Sequence, residues 1–203
     1  VCVSKTPDTT SRIAFTNNNT AFDSNGVQYI MNPYDEWYAL VRAIELKEQL
    51  GTGSVTTITV GDASADVVIR KGLAIGADDA VRVDMDPPSA MAVAQQIAAY
   101  AKKHNFDIIF LGKETIDYNG SSIGGMVAEL LDLPYVSLAT KFTLEGTDAI
   151  INREIEGGEE TNKVKLPVVI SCMKGMAEQR IPNMKGIMGA RSKPLKVTEP
   201  VAT

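Results

Sequence analysis

Two cysteines, Cys2 and Cys172, are all that the 203 residues contain, and they form no CxxC pair. Neither a disulfide framework nor a zinc site is therefore supported. The single histidine, His104, leaves a histidine-dependent triad or a multi-histidine metal centre little to work with. In the string KKHNFD it reads as the solvated end of a helix. Apolar runs such as LPVVISCM stay far below the ~18 residues that span a bilayer, so no membrane insertion is expected. Excess positive charge is missing too: 20 basic against 25 acidic residues give a net charge of −5, which argues against a nucleic-acid binder. The charge is uneven, since residues 174–196 hold six Lys or Arg and one acid, Glu178. The chain opens on Val1 and closes in EPVAT, and both ends read as trimmed. Its compartment then falls to the default for an undecorated chain, the cytoplasm, with the mitochondrial matrix as the alternative.

What is present fits a globular domain, with 44% hydrophobic and 22% charged residues. Strand-like and helix-like segments alternate through the first half, the pattern of a doubly wound sheet. Residues 1–3 (VCV) read as the stump of a first strand, and SKTPDT after them as a turn-rich loop. The string NPYDEWYALVRAIELKEQLG carries helix signals: Asn32 as N-cap, Pro33 at the first helical position, Asp35 and Glu36 in the first turn, Gly51 beyond the end. Its Trp37, Leu40, Val41 and Ile44 recur at helical spacing and are predicted to pack on the sheet. Residues 55–60 (VTTITV) read as a strand, 63–75 as a helix stopped by Gly76, and 80–83 as a short strand. A helix from about Ser89 to His104 follows Pro87 and Pro88, and IIFL at 108–111 has the continuous apolar character of a central parallel strand. After the loop KETIDYNGSSIGG comes a helix with Met126, Val127, Leu130 and Leu131 on its apolar side. Beyond Pro134 the segments 141–144, 150–156 and 160–165 are predicted strands, joined by EGTD and a tight Gly157-Gly158 turn. Residues 166–172 return to the sheet. The expected fold is α/β: a doubly wound, mostly parallel sheet over residues 1–172, with an antiparallel hairpin extension at about 140–165. Residues 173–203 are expected to form a partner-docking loop and tail.

In an open parallel sheet ligands bind beyond the carboxyl ends of the strands. The loop after Val3, the helix start at Asn32, the strand end at Val60 and the loop from Gly112 to Gly125 should reach that rim. A helix opened by Gly120-Ser121-Ser122-Ile123-Gly124-Gly125 offers free amides, small residues and two hydroxyls, which suit a phosphate as well as they suit a tight strand-to-helix turn. It is no Walker A loop, and GxGxxG is absent. Asp117 suits either a ribose hydroxyl or a turn cap. Glu159-Glu160 read as a solvated pair, Asp78-Asp79 as turn chemistry, and Cys172 as a small core residue. With no nucleophile beside a base, no catalytic residue is assigned, and a binding subunit is preferred to a self-sufficient enzyme. In the basic stretch, Met173, Met176, Met184 and Met188 lie among the charges. A solvated loop and a phosphate patch are both open there, but flexible thioethers favour an adaptable docking surface.

Taken together, VCVSKTPDT, NPYDEWYALVRAIELKE, VGDASADVVIRKGLAIGADDAVRV, FLGKETIDYNGSSIGGMVAELLDLP, REIEGGEETNKVKLPVVISC and GIMGARSKPL resemble the electron transfer flavoprotein β subunit. The likeness covers nearly the whole chain, and AxGAD, LGxxxID before a Gly-rich helix start, and IMxAxxKP are jointly specific. The resemblance implies a Rossmann-like fold and an electron carrier working as an αβ heterodimer. FAD would be held mainly by the α subunit, flavin dehydrogenases would deliver electrons, and a quinone oxidoreductase or another acceptor would receive them. The β subunit would hold a structural AMP. Carried over by position, the AMP contacts would be Cys2, then Asn32, Pro33, Tyr34 and Asp35, then Val60. The run Asp117, Tyr118, Asn119, Gly120, Ser121, Ser122, Ile123, Gly124, Gly125, Met126, Val127 and Ala128 completes them. The family's dehydrogenase-recognition loop corresponds to about residues 172–193, with Met184 aligned to an apolar anchor and Arg180, Ile181 and Lys185 around it. This chain reads DYNGSSIGG where many members carry Gln and Thr before the first glycine, so backbone contacts to the phosphate should persist while side-chain contacts differ. Two alternatives accompany the resemblance: a bifurcating β subunit with a second FAD in place of AMP, and a stand-alone adenine-nucleotide-binding or hydrolysing protein.

Overall fold

The computed structural model describes residues 1–202, so Thr203, the last residue of the expected docking tail, lies outside the described residues. In chain order the elements are β1 (Lys5–Pro7), β2 (Phe15–Thr16), β3 (Ala21–Phe22), β4 (Tyr29–Met31), α1 (Asp35–Leu50), β5 (Thr56–Val60), α2 (Asp66–Ile75), β6 (Asp79–Val83) and α3 (Ala90–His104). They continue with β7 (Ile108–Gly112), α4 (Ile123–Leu131), β8 (Tyr135–Glu145), β9 (Asp148–Ile155), β10 (Gly158–Lys165), β11 (Val168–Cys172), α5 (Met184–Ala190) and β12 (Leu195–Thr198).

Residues 1–3 decide the topology. They run between β5 and β7: Val3 N–H donates to Ile58 O and Ile58 N–H to Val1 O on one side, and Cys2 N–H donates to Phe110 O on the other. This joins the three-stranded set β12-β6-β5 to the five-stranded set β7-β11-β8-β9-β10. The pairs from β12 to β8 are parallel, while β8-β9 and β9-β10 are antiparallel. The fold is thus a mixed α/β structure around a parallel sheet, as the alternation of segments predicts. The first strand lies centrally, with β5 to one side and β7 to the other, so the winding reverses at its carboxyl end. That reversal is the topological switch point where such sheets bind ligands.

Helices cover both faces. On one, Leu40, Val41 and Ile44 of α1 and Ile69 and Leu73 of α2 pack with Phe110, Val168 and Ile170. On the other, Ala94 and Ile97 of α3 and Val127 of α4 pack with Val81, Leu111 and Val169. Full burial of each such aliphatic side chain contributes about 1.5–3 kcal/mol, so spacing at helical period is enough to commit these faces to the sheet.

Four local readings are corrected by the structure. Asn32 does not cap α1; the preceding residue is Tyr34, at φ 63°, and no side chain caps the helix. Asn32 is instead fully buried, because its amide serves a distant loop. The turn between β9 and β10 is made by Glu156 and Gly157, since Ile155 pairs with Gly158; Gly157 takes the left-handed φ of 84°. Residues 63–65 form a 3₁₀ turn capped by Asp62 before α2 begins. Last, the C-terminal stretch contributes to the sheet: Leu195–Thr198 pairs with β6, and Gln96 holds both backbone groups of Val201 (2.9 and 2.8 Å). Nothing in its sequence period distinguished that edge strand from a tail.

Candidate functional site

A cleft of about 510 Å³ opens at the switch point. Its floor is the carboxyl end of the first strand (Cys2, Val3, Ser4), flanked by Val60, Gly61 and Asp62 after β5 and by Leu111 to Thr115 after β7. Ile58, Pro88, Val93 and Ile97 give it an apolar wall, and Gly120 to Gly124 close the opposite end. The volume lies within the roughly 300–1,000 Å³ of small-molecule sites. Whereas Ser89 caps α3, no side chain caps α4, so the first-turn amides of α4 remain free where the helix opens into the cleft. Gly124 allows this placement. A Cβ there would stand 2.8 Å from the Tyr135 hydroxyl oxygen, itself fixed by donating to Ser171 Oγ at 2.9 Å.

The loop leading into α4 is held from beneath. Asn32 Nδ2 donates to Glu114 O and Ile116 N–H donates to Asn32 Oδ1, both at 3.0 Å. Inside the loop Asn119 N–H donates to Thr115 O, and Asn119 and Ser121 take φ of 50° and 49°, the left-handed region where a non-glycine residue is uncommon. The Ser121 hydroxyl donates to Glu114 Oε2 at 3.0 Å, and Lys113 Nζ lies 3.3 Å from Glu114 Oε1.

Carboxylates dominate the electrostatics. Glu36 is buried beneath the cleft floor and receives the Ser4 amide on Oε2 and the Ser4 hydroxyl on Oε1, each at 2.7 Å. Burial raises its pKa to about 8, against the bonds from Ser4 and helped by the nearby Asp117 and Asp35. Asp35, half-buried, is raised to about 6, chiefly by burial. Cys2 is pushed up to about 12 by burial, which leaves its thiol unreactive at neutral pH. Among the described residues no group of three or more His, Cys, Asp or Glu is placed to hold a metal ion, and no helix is long and apolar enough to cross a membrane.

Glu36 sets a pH dependence. Because its folded pKa of about 8 exceeds the ordinary glutamate value of 4.5, the folded chain binds a proton that the unfolded chain releases in between. Its contribution to stability is complete below about pH 4.5, falls as pH rises towards 8, and is level above that. Urea midpoints at pH 6 and pH 8 are expected to show a drop in the wild type that Glu36→Gln largely abolishes. An equal drop in both would remove Glu36 as the source.

Of the positions carried over by resemblance, Cys2, Val60, Asp117, Tyr118, Gly120, Ser121, Ser122, Ile123 and Gly124 line this cleft. The other nine do not. Asn32 acts from behind it, and Pro33, Tyr34 and Asp35 form the entry to α1, with Tyr34 60% exposed. Asn119 supports the loop, and Gly125 and Met126 follow the cleft end of α4. Val127 and Ala128 are buried in the core, at 0% and 2% exposure. Ser4, Glu36, Asp62, Glu114 and the turn from Asp86 to Ser89 line the cleft without having been singled out. The strand ends at Val3 and Val60 pointed to Ser4 and Asp62, while the Asp86 turn had no local signal beyond its prolines.

The basic stretch packs beside α2. Arg70 Nη1 donates to Ala190 O and Lys193 O, and Lys193 Nζ donates to Leu73 O and Ala77 O. Arg180 is less free than a docking residue would be: its guanidinium takes both Glu48 oxygens at 2.8 Å, and its carbonyl accepts from Trp37 Nε1. Ile181, Met184 and Met188 stand 79%, 70% and 70% exposed beside exposed Lys185.

The sheet order defines a doubly wound α/β protein with a cleft at the switch point, beyond the strand ends. Residues 20–203 match the family model of the electron transfer flavoprotein domain. The electron transfer flavoprotein subunit beta of Bacillus subtilis is 38% identical over 203 residues, covering 98% of this chain and 77% of its own. The human protein of the same name is 34% identical over 205 residues (98% and 80%), and that of Syntrophomonas wolfei 37% over 196 (96% and 77%). The chain belongs to the electron transfer flavoprotein family, and its role is that of the family's β chain in electron transfer.

Proposed function

We propose that this chain pairs with an electron transfer flavoprotein α subunit, keeps a structural AMP in the switch-point cleft, and presents a docking face to flavin dehydrogenases. Electrons would pass to and from FAD held mainly by the α subunit, and on to a quinone oxidoreductase or another acceptor. The cleft carries this reading: an uncapped helix start at Ile123 and Gly124 suits the phosphate, and the apolar wall of Pro88, Val93 and Ile97 suits the base. Bound FAD supplies the redox chemistry. The residues of this chain bind, orient and dock, in a soluble compartment such as the cytoplasm or the mitochondrial matrix.

Ile181, Met184 and Met188 support docking, because adjacent exposed apolar side chains on a short helix and its lead-in can fill a pocket on a partner. Reduction of the complex's flavin by a flavin dehydrogenase tests this directly. Met184→Ala is expected to slow uptake by about fivefold to thirtyfold, the loss of one apolar anchor, with nucleotide and flavin content unchanged. Unchanged uptake would remove Met184 as the anchor.

A further inference from the structure

The cleft is poor in free positive charge. Five acidic side chains line it (Glu36, Asp62, Asp86, Glu114 and Asp117), of which burial keeps Glu36 protonated at neutral pH, against two lysines, Lys5 and Lys113. Neither lysine is free: Lys5 Nζ donates to Ser64 Oγ and lies 3.7 Å from Asp62, and Lys113 is paired with Glu114. Glu114 stands at the phosphate end, since its carboxylate already holds the hydroxyl of Ser121 in the turn that opens α4.

Resting on the nucleotide reading above, we propose that Glu114 sets the charge selectivity of the cleft. Its carboxylate stands beside the turn whose amides receive the phosphate, admitting a nucleoside monophosphate and disfavouring di- and triphosphates. Burial raises the Glu114 carboxyl, but bonds from Ser121, Asn119 and Lys113 outweigh it and hold the group below its usual value, so it is ionised throughout the neutral range. Each further phosphate brings roughly one more negative charge. Two unit charges about 6 Å apart, under an effective dielectric between about 20 and 80, shift an equilibrium by about threefold to a hundredfold. Lys5 pairs with Asp62 and Lys113 with Glu114 itself, so no lysine is left over to attract a second or third phosphate, and Lys113 offsets part of the Glu114 charge, which places the expected shift towards the lower end of that range.

Glu114→Gln separates charge from shape. The amide oxygen still accepts from Ser121, and Glu114 O still receives Asn32, so the turn keeps these two bonds while the charge and the pairing with Lys113 are lost. The full chain, in the complex in which it purifies, is freed of bound nucleotide and titrated calorimetrically with adenosine, AMP, ADP and ATP at low and high salt. In the wild type, affinity is expected to fall from AMP through ADP to ATP. Glu114→Gln should tighten AMP by about threefold and ATP by about tenfold or more at low salt, with the smallest gain for adenosine. Added salt should shrink these gains. Ser121→Ala, which removes the hydroxyl and keeps the charge, should retain the wild-type ranking. An unchanged AMP-to-ATP ratio in Glu114→Gln, or an equal gain for all four ligands, would overturn the proposal and leave the nucleotide site standing. Absence of binding by every adenine ligand, in wild type and variants alike, would overturn the nucleotide reading and this inference together.

Discussion

Gly186→Ala is expected to cut electron uptake from a dehydrogenase by more than about tenfold while leaving nucleotide content and most of the fold intact. Gly186 lies in the first turn of α5, and a Cβ there would fall well inside van der Waals contact of the Ala74 carbonyl oxygen. That atom belongs to the backbone near the end of α2, so no side-chain rotation relieves the overlap. The whole of α5 must lift. The clamps that seat it, Arg70 on Ala190 O and Lys193 O and Lys193 on Leu73 O, then lose their geometry together. Local overpacking costs about 1–3 kcal/mol. Because the overlap falls on the last turn of α2 and leaves the strand pairing of the sheet untouched, that cost should appear as a displaced docking face, not as global unfolding. Stopped-flow reduction, with hydrogen exchange of residues 184–194, checks it. Normal uptake with unaltered protection would show that α5 tolerates the methyl group and that its seating does not govern docking.

Asn32→Ala should empty the cleft and destabilise the chain by about 2–6 kcal/mol. The Asn32 side chain is fully buried, and its two polar atoms serve two backbone groups of the loop 113–122, Glu114 O and Ile116 N–H. Truncation leaves both groups desolvated without a partner, each costing about 1–3 kcal/mol. A domain with some 5–15 kcal/mol of stability survives most of this range, but a loop that holds Asn119 and Ser121 at left-handed φ has lost what constrains it. Denaturant unfolding and the AMP content of the purified protein are the two readouts. Lower stability with full AMP content would mean that Asn32 serves the core and not the cleft. Asn32→Asp is the informative companion: it can still accept from Ile116 N–H, but its second oxygen faces the Glu114 carbonyl and repels it.

What was legible in the sequence depended on whether the signal was periodic or local. Helical spacing of Trp37, Leu40, Val41 and Ile44 predicted a buried face, and all four are buried. Gly51 and Gly76 mark helix ends as expected, at φ of 68° and 150°. The strand ends at Val3, Val60 and Gly112 converge on one cleft because parallel strands place their carboxyl ends on one rim. Asn32 misled for a physical reason. Asn followed by Pro before an amphipathic run satisfies every local rule for an N-cap, but a bond to a loop more than eighty residues away competes for the same side chain. Glu36 read only as a first-turn helix residue and Glu114 only as part of the rim loop, because their bonds to Ser4 and Ser121 come from tertiary approach and leave no local signal. The pairing of Arg180 with Glu48, from the far end of α1, had no signal in the string around Met184, because the two residues lie 132 positions apart.

On the proposed function, this chain holds AMP in its switch-point cleft as one half of a flavoprotein pair. The most direct measurement is to co-purify it with its α subunit, denature the complex and quantify the nucleotides released per heterodimer. One AMP and one FAD are expected. Two FAD and no AMP would contradict the assignment of the cleft and place the second flavin there, and no nucleotide with no stable α complex would contradict the account as a whole.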